Sequence, residues 1–283
     1  MGKETENGTT GYCYWKQTGK VAIRMTNDYL FRALLQTDNE TLKHLIADVL
    51  HLPPNEVVTA DILNPIELGR DIDAKEFILD VKVDLNHNTT LNLELQVVNY
   101  HNWPERSLSY LCRSFDNLSA GQNYIDVTPV IQIDFLDFTL FEEHPEFCSS
   151  YYFMNPKTGQ IYTDKLQLHV VQLPQVRLAT EEDIAHHVND WARMFKAATW
   201  EELRMIAKYN PAVEHAIDSE SALLQDFIIR DAARRREEYY IHERATQQKL
   251  AEQAAAIQEQ ATAIQEKDEI IRQLQEKIQS MTQ

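Results

Sequence analysis

The sequence of 283 residues is poor in cysteine, glycine and proline, and it contains no long apolar run. Its three cysteines are too few and too scattered for a disulfide framework or a zinc finger, so we expect a reducing cytoplasm as its location. Without a continuous apolar segment of about twenty residues, no transmembrane span is expected. Residues 1–20 lack the apolar centre of a secretory signal and are expected to form a polar, loosely ordered lead-in.

Two common enzyme motifs are also missing, the glycine-rich phosphate loop and the HExxH zinc motif. The formal net charge of −17 argues against a protein that coats nucleic acid nonspecifically, because phosphate binding depends on Lys and Arg. This charge does not exclude a nuclease. Such an enzyme needs only a local basic surface, and its own site concentrates carboxylates to hold a divalent cation.

The apolar residues that are present follow helical and strand spacings in turn. "NDYLFRALL" predicts a helix capped by Asn27 or Thr26, and "NETLKHLIADVLHL" predicts a second helix that two prolines end. A strand is predicted near Glu67–Gly69, and "WPERSLSYLCRSFDNLSAGQ" predicts a helix that ends near Gly121. "PVIQIDFLDFTLF" predicts a central strand, and residues 149–173 predict a β-hairpin that turns at "NPKTG". This alternation predicts an α/β fold with a mixed sheet flanked by helices.

The pattern beyond about Val176 is helical only. "TEED" and "TWEE" predict capping boxes at Thr180 and Thr199. Beyond Arg236 the chain is rich in Ala, Gln, Glu and Ile, and apolar residues recur every seven positions. This spacing predicts a C-terminal coiled-coil helix that mediates self-association, and packing of the helix on its own domain is the alternative. The seam consists of Leu250, Ile257, Ile264, Ile271 and Ile278.

The segment "LDVKVDLNHNTTLNLELQ", residues 79–96, alternates apolar and polar residues on both sides of five polar residues. Period-two alternation predicts two half-buried strands joined in a hairpin. One register sets Asp80 opposite Gln96 and Lys82 opposite Glu94, and a shift of two residues sets Asp80 opposite Glu94. Both registers bring acidic groups together on the polar face.

Asp80 and Glu94 on neighbouring strands have the chemistry of a magnesium site. Mg²⁺ prefers hard oxygen ligands and keeps several waters, so two carboxylates and one backbone carbonyl are sufficient. The carbonyl of Leu95 is the candidate third ligand. The alternative is that the polar face is only the solvated side of a sheet.

Short motifs from about Met25 to Gln175 resemble, in order and spacing, the Rpn group of recombination-promoting nucleases, also described as PD-(D/E)XK family transposases. The motifs are "NDYLFRALL", "FILDVKVD", "LNLELQ", "ERSLSY", "LSAGQNY" and "PVIQIDFLDFTLF". The resemblance implies a restriction-endonuclease-like core that cleaves DNA with Mg²⁺ or another divalent cation. The segment "HVVQLPQ" departs from the group, which tends to have an acid and a lysine there.

The resemblance also implies roles for individual residues. Asp80 and Glu94 are expected to bind the metal, and Asp28 on the first helix is expected to bind it directly or through water. Gln96 stands where the wider superfamily has a catalytic lysine, and an amide cannot supply a positive charge. Lys82 lies on the same face as Asp80 and is a candidate for that role, or it is simply paired with Glu94.

Three further residues are candidates for contact with DNA. Arg106 and Tyr110 are four residues apart and therefore share one face of their helix. We expect them to contact the scissile phosphate or to support Glu94, and an ordinary polar contact between helix and sheet is the alternative. Lys75 is a weaker candidate for a contact with the DNA backbone.

The leading hypothesis is a cytoplasmic, Mg²⁺-dependent DNA endonuclease that assembles through its C-terminal helix. The rival hypothesis is a catalytically weak or silent nuclease-like scaffold that acts as an oligomeric interaction protein, and RNA is an alternative substrate. A protein regulator that binds the coil is compatible with either. The expected divisions are a lead-in at 1–20, a nuclease core at 21–175, a helical region at 176–236 and a coiled-coil helix at 237–283.

Overall fold

The computed structural model describes residues 14–68 and 80–281 of the chain. Within these ranges the helices are α1 Asp28–Thr37, α2 Asn39–Val49, α3 Trp103–Phe115, α4 Glu181–Ala185, α5 Val188–Lys196, α6 Trp200–Ala207, α7 Pro211–Leu223 and α8 Phe227–Met281. The strands are β1 Ala60–Ile62, β2 Val81–Leu85, β3 Thr89–Gln96, β4 Val130–Leu136, β5 Cys148–Tyr152 and β6 Leu166–Gln172. The chain divides into two compact units, of which the first ends at Glu237 and the second begins at Glu238.

The six strands form one mixed sheet in the order β1-β2-β3-β4-β6-β5. The central strands β3, β4 and β6 are parallel, whereas β1, β2 and β5 join antiparallel to their neighbours. The predicted α/β fold with a mixed sheet flanked by helices is confirmed. The predictions of β4 as a central strand and of β5 and β6 as a hairpin are also confirmed.

The two faces of the sheet carry different residues because strand side chains alternate. On one face Phe135 of β4 packs edge-on against Phe31 of α1 and Phe195 of α5. On the other face Trp103 of α3 packs with Leu136 and other apolar residues of the central strands. Burial on both faces explains why β4 is almost continuously apolar.

The helix starts follow the predicted capping residues. The Asn27 side chain accepts a hydrogen bond from the backbone N–H of Leu30 at the start of α1. Thr180 and Thr199 each form a complete capping box with the acid three residues later. These side chains satisfy donors that the first turn of a helix leaves without a backbone partner.

The predicted strand near Glu67–Gly69 is wrong for its described residues, because Glu67 and Leu68 are not in a strand. The backbone of Ile66 exchanges hydrogen bonds of 2.8 Å with the side-chain amide of Gln36 on α1. This segment therefore runs along a helix, and the edge strand β1 lies earlier, at Ala60–Ile62. Gly69 lies outside the described residues.

The predicted extension of α3 to Gly121 is also wrong, since the helix ends at Phe115. The side chain of Asn117 exchanges two hydrogen bonds of 3.1 Å with the backbone of Thr128. An asparagine that binds the backbone in this way competes with the helix and turns the chain toward β4.

The end of the lead-in that the structure describes is not loosely ordered. Tyr14 is completely buried. The backbone N–H of Gly19 donates to the Glu201 carboxylate at 3.2 Å, and Lys20 forms a bridge with Thr199. The expectation of loose order is therefore wrong for residues 14–20, which pack against the start of α6.

Helix α8 contains the predicted heptad seam. All five seam residues, Leu250, Ile257, Ile264, Ile271 and Ile278, are at least half exposed in the single chain. In the part of the chain that the structure describes, no helix combines the length and the apolar character that a membrane span requires.

Candidate active site on the β2–β3 hairpin

The hairpin brings Asp80 beside Glu94. Val81 of β2 pairs with Leu93 of β3, and continuing that register by one residue sets Asp80 opposite Glu94. Of the two registers considered from sequence, this is the one with the two-residue shift. Its cause is a shorter loop than the sequence suggested, since Thr89 and Thr90 belong to β3.

The turn conformation explains this shorter loop. Asn86 and His87 both have positive φ, 52° and 56°, which asparagine tolerates better than most residues. The Asn86 side-chain oxygen also accepts hydrogen bonds from the backbone N–H groups of Val58 and Thr59. These contacts fix the conformation of the turn from outside the hairpin. The turn then determines the register in which β2 pairs with β3.

Glu94 is buried between the sheet and α3. Its Oε1 atom accepts a hydrogen bond of 2.6 Å from Nη2 of Arg106. Its Oε2 atom is buried and has no hydrogen-bond partner among the residues that the structure describes. Burial raises the pKa of Glu94 to about 7, and the charge of Asp80 adds to the rise while Arg106 opposes it.

Asp80 lies immediately before β2 and is the first residue described after the gap at 69–79. Burial raises the pKa of its carboxyl group, and the positive charges of Arg32, Arg106 and Lys82 act against that rise. Each of these three cations is therefore close enough to act on the Asp80 carboxylate. The site is a partly desolvated pair of acids with cations around it.

Lys82 and Gln96 differ in how their side chains are engaged. The Gln96 amide nitrogen donates to the Val98 carbonyl at 2.8 Å, and the side chain is buried. Lys82 lies opposite Asn92 and is half-buried. Glu94 pairs with Arg106, and no ion pair joins Glu94 to Lys82 in the described chain. Leu95 follows Glu94 on β3, with its side chain buried on the opposite face.

Helix α3 places Arg106 over the polar face of β3. The Arg106 guanidinium lies 5.4 Å from the ring centres of both Trp103 and Tyr110. Asn92 of β3 donates to the Ser114 hydroxyl of the same helix at 3.0 Å. Arg106 and Tyr110 lie side by side on α3, and Arg106 donates to Glu94.

Asp28 is held by an arginine from the far end of the first unit. Nε and Nη2 of Arg236 on α8 contact its carboxylate at 2.6 to 3.0 Å, and both side chains are buried. The charge of Asp28 still raises the pKa of Glu94. The side chain therefore acts electrostatically on Glu94 while it forms a tight ion pair with Arg236.

Sequence reasoning missed Asp134, which lies beside Glu94 on the neighbouring strand β4. It is completely buried and accepts hydrogen bonds from Trp103 Nε1 at 3.1 Å and Gln132 Nε2 at 2.9 Å. Burial, and then the charge of Glu94, raise its pKa well above the usual range. The sequence does contain a signal for Asp134. Gln132 and Asp134 are polar residues two positions apart, and therefore on one face of a strand, in an otherwise apolar run.

The carboxylates of Asp80 and Glu94 suit a hard cation in one respect. A buried carboxylate oxygen without a partner, Oε2 of Glu94, lies on the same face as a second acid. A carboxylate pair of this kind offers the oxygen ligands that Mg²⁺ prefers. Within 14–68 and 80–281, however, no three His, Cys, Asp or Glu side chains are grouped so as to hold a metal. Lys75 lies outside the described residues.

Comparison with known families gives one match that covers most of the chain. The family model described as PD-(D/E)XK nuclease family transposase matches residues 25–251. This range contains the hairpin, α1, α3 and the start of α8. Neither the curated proteins nor the solved structures gave a significant match.

Proposed function

Because the chain belongs to the PD-(D/E)XK nuclease family transposases, we propose that it is a metal-dependent endonuclease that hydrolyses phosphodiester bonds in DNA. The observation that carries the proposal is the environment of Glu94. One oxygen of this buried carboxylate is bound by Arg106, the other has no partner among the described residues, and Asp80 lies opposite. Such a protein would serve DNA mobility or defence against foreign DNA.

Asp80 and Glu94, with the carbonyl of Leu95, are the proposed ligands of Mg²⁺ or another divalent cation. A bound cation lowers the pKa of a ligand water and neutralises charge that develops on the phosphate. The protein side chains hold this arrangement ready. Arg106 favours the ionised form of Glu94 and orients it, and the rings of Trp103 and Tyr110 hold Arg106 in place.

Lys82 is the proposed source of positive charge beside the phosphate. By the resemblance, Gln96 stands where the wider superfamily has a lysine, but its amide donates to the Val98 carbonyl and carries no charge. The Lys82 side chain is half-buried on the same strand face as Asp80, and its charge acts on that carboxylate. Gln96 would then orient water or support the end of β3.

Asp28 has a proposed indirect role. Its ion pair with Arg236 favours an electrostatic or water-mediated contribution over direct ligation of the metal. Tyr110 remains a candidate for a contact with the DNA phosphate beside Arg106, and Lys75 remains a candidate from the sequence alone.

A nuclease-like scaffold with weak or no activity is the second candidate function. The observation that favours it is the engagement of Asp28 by Arg236, which leaves two carboxylates rather than three facing one another.

In either case we propose that residues 237–283 form a homo-oligomeric coiled coil and that the protein is cytoplasmic. The two cysteines that the structure describes, Cys112 and Cys148, are both free.

The test is cleavage of supercoiled plasmid by the purified protein with Mg²⁺, beside Asp80→Ala, Glu94→Ala and Asp84→Ala variants. Asp84 is the matched control, because it is a carboxylate on the same strand face that lies opposite Thr90 and 3.4 Å from His87. We expect nicking by the parent and by Asp84→Ala, and none by the other two variants. An RNA substrate is included as a second arm.

The outcomes separate the hypotheses. If the folded parent cleaves neither substrate, the scaffold function replaces the nuclease. Cleavage of RNA alone would change the substrate class and leave the metal site in place. Equal nicking by all four proteins would show that Asp80 and Glu94 are not the site.

A further inference from the structure

Arg32 is a completely buried arginine beneath the active-site hairpin. It lies on α1 four residues after Asp28, and therefore on the same face of the helix. A buried guanidinium is costly unless its N–H groups find acceptors, so its partners define its position. None of the roles assigned above to Asp80, Lys82 and Glu94 uses this side chain.

Two of the acceptors of Arg32 are backbone carbonyls next to the site. Its Nη1 donates to the carbonyl of Asp80, and its Nη2 donates to the carbonyl of Asn64. The planar guanidinium offers its donors in a fixed fork, which suits two acceptors held at a set spacing. One side chain therefore ties α1 to two separate segments of the chain.

Asn64 completes the arrangement from the other side. Its side-chain nitrogen also donates to the Asp80 carbonyl, at 3.0 Å. Its side-chain oxygen accepts the backbone N–H of Lys82 at 2.9 Å and Nη2 of Arg32 at 3.3 Å. The carbonyl of Asp80 thus receives two donors, and the peptide groups on both sides of Val81 are bound.

These contacts act where the strand pairing stops. The described pairing of β2 with β3 begins at Val81, so Asp80 lies one residue beyond it. The two residues on either side of Val81, Asp80 and Lys82, carry side chains with proposed functions. Their directions depend on the backbone that Arg32 and Asn64 hold.

We infer that Arg32 and Asn64 are positioning residues of the active site, which fix the Asp80 and Lys82 backbone so that the Asp80 carboxylate faces Glu94. The inference rests on the proposed function, because it assigns to these residues the geometry of the metal ligands. The positive charge of Arg32 also opposes the effect of burial on the pKa of Asp80. Groups that orient metal ligands typically change metal affinity about 10- to 100-fold when they are replaced.

The experiment compares Arg32→Met, Arg32→Lys and Asn64→Ala with Arg204→Met. Arg204 on α6 is the matched control, because it also donates to two backbone carbonyls, those of Tyr14 and Gln17. For each protein we would measure the Mg²⁺ concentration at half-maximal cleavage, the saturated rate, Mn²⁺ binding by calorimetry, and hydrogen exchange of the amides of residues 81–83.

We expect Arg32→Met and Asn64→Ala to require at least about 10-fold more Mg²⁺ and to exchange the amides of residues 81–83 faster. Arg32→Lys is expected to be intermediate, because an ammonium reaches one carbonyl at a time. Arg204→Met is expected to keep the parental Mg²⁺ and Mn²⁺ response even where its thermal stability falls. If Arg32→Met fails to fold, Asn64→Ala carries the test.

Unchanged Mg²⁺ and Mn²⁺ responses in folded Arg32→Met or Asn64→Ala, with an active parent, would overturn the inference and leave the proposed function intact. A parent that neither cleaves nor binds Mn²⁺ would overturn the proposed function, and the role in metal positioning with it. Parental exchange at residues 81–83 in both variants would overturn the backbone restraint itself, whatever the activity.

Discussion

Glu94 is a buried carboxyl group and one of the proposed metal ligands. Its two oxygens have different environments, since Arg106 binds one and the other has no partner among the described residues. Burial and the neighbouring acid favour the protonated form, whereas Arg106 favours the charged form. The pKa of about 7 therefore results from opposing effects, and it lies where small changes in environment alter ionisation.

This balance predicts a pH-dependent metal requirement. Protons compete with metal for Glu94, so the Mg²⁺ concentration at half-maximal cleavage should rise as the pH falls below about 7. Arg106→Met removes the charge that lowers this pKa, so the pKa rises and the competition extends to higher pH. We expect the variant to need much more Mg²⁺ at pH 7.5, with the difference shrinking toward pH 9.

The measurement is cleavage rate against Mg²⁺ concentration at several pH values. Tyr110→Phe is the control, because it keeps the ring 5.4 Å from the Arg106 guanidinium and removes only the hydroxyl group. Parallel pH profiles for Arg106→Met and the parent would contradict this account of Glu94. A large loss in Tyr110→Phe at every pH would instead point to a phosphate contact by the tyrosine hydroxyl.

At the scale of secondary-structure elements, α1 connects the site to the start of α8. Asp28 binds Arg236, and the neighbouring Asn27 side chain donates to the carbonyl of Ala233 at 2.7 Å. Four residues further along α1, Arg32 binds the backbone of Asp80. The same short helix thus anchors residues 233 and 236 at one point and the β2–β3 hairpin of the candidate site at another.

This connection predicts a large stability effect for one arginine in the run Arg234–Arg236. Removing one partner of a buried ion pair leaves the other charge uncompensated, which costs about 3–5 kcal/mol. Arg236→Ala should therefore lower the free energy of unfolding by about that amount. Arg234→Ala is the control, because Arg234 is largely exposed and pairs with Asp231 one turn earlier.

Urea denaturation of the two variants measures this difference. For Arg234→Ala we expect a change within about 0.5 kcal/mol, as for most surface substitutions. Equal losses in the two variants would show that the Asp28–Arg236 pair does not anchor α8. Arg236 is the buried member of this run, whereas the side chains of Arg234 and Arg235 are exposed.

The sequence predicts a feature of these elements well when the residues that determine it lie close together in the chain. Period-two alternation predicted both faces of the hairpin correctly, because it reflects the geometry of single strands. The register depended on contacts of Asn86 with Val58 and Thr59, which lie 28 and 27 residues away. The partner of Asp28 is 208 residues distant, and no local pattern contains that information.

Asp134 and Arg32 were missed for a related reason. Each lies in a segment whose spacing already had an adequate explanation, as a central strand for Asp134 and as a helix for Arg32. Their significance arises from the neighbours that the fold provides, Glu94 for Asp134 and the Asp80 carbonyl for Arg32. A polar residue in an apolar run marks such positions, but it does not identify their partners.

At the scale of the whole molecule, the net charge of −17 and the exposed seam of α8 need separate explanations. With this net charge, the proposed DNA binding depends on local cations, and we expect the logarithm of the affinity to fall with the logarithm of the salt concentration, with a slope set by the number of cations that contact phosphates. The seam consists of large apolar side chains in regular spacing on a helix of 55 residues. Such a surface is typical of association sites.

The seam predicts that the full chain is an oligomer whose stability depends on individual isoleucines. Burying a lysine in a coiled-coil seam is unfavourable, so Ile271→Lys should shift the protein strongly toward the monomer. Ile270→Lys is the matched control, since Ile270 is the adjacent residue, is similarly exposed at 55% and lies off the seam. Sedimentation of both variants and the parent over a range of concentrations measures the effect.

If both lysine variants sediment as the parent does, α8 does not mediate association, and the alternative of packing on its own domain gains support. If Ile271→Lys alone is monomeric, its plasmid cleavage reveals what assembly contributes. We expect the monomer to nick one strand and to linearise plasmid much more slowly, because double-strand cleavage by a pair of joined sites no longer profits from their high effective concentration. Retention of the parental ratio of linear to nicked product would show that each chain cuts both strands independently.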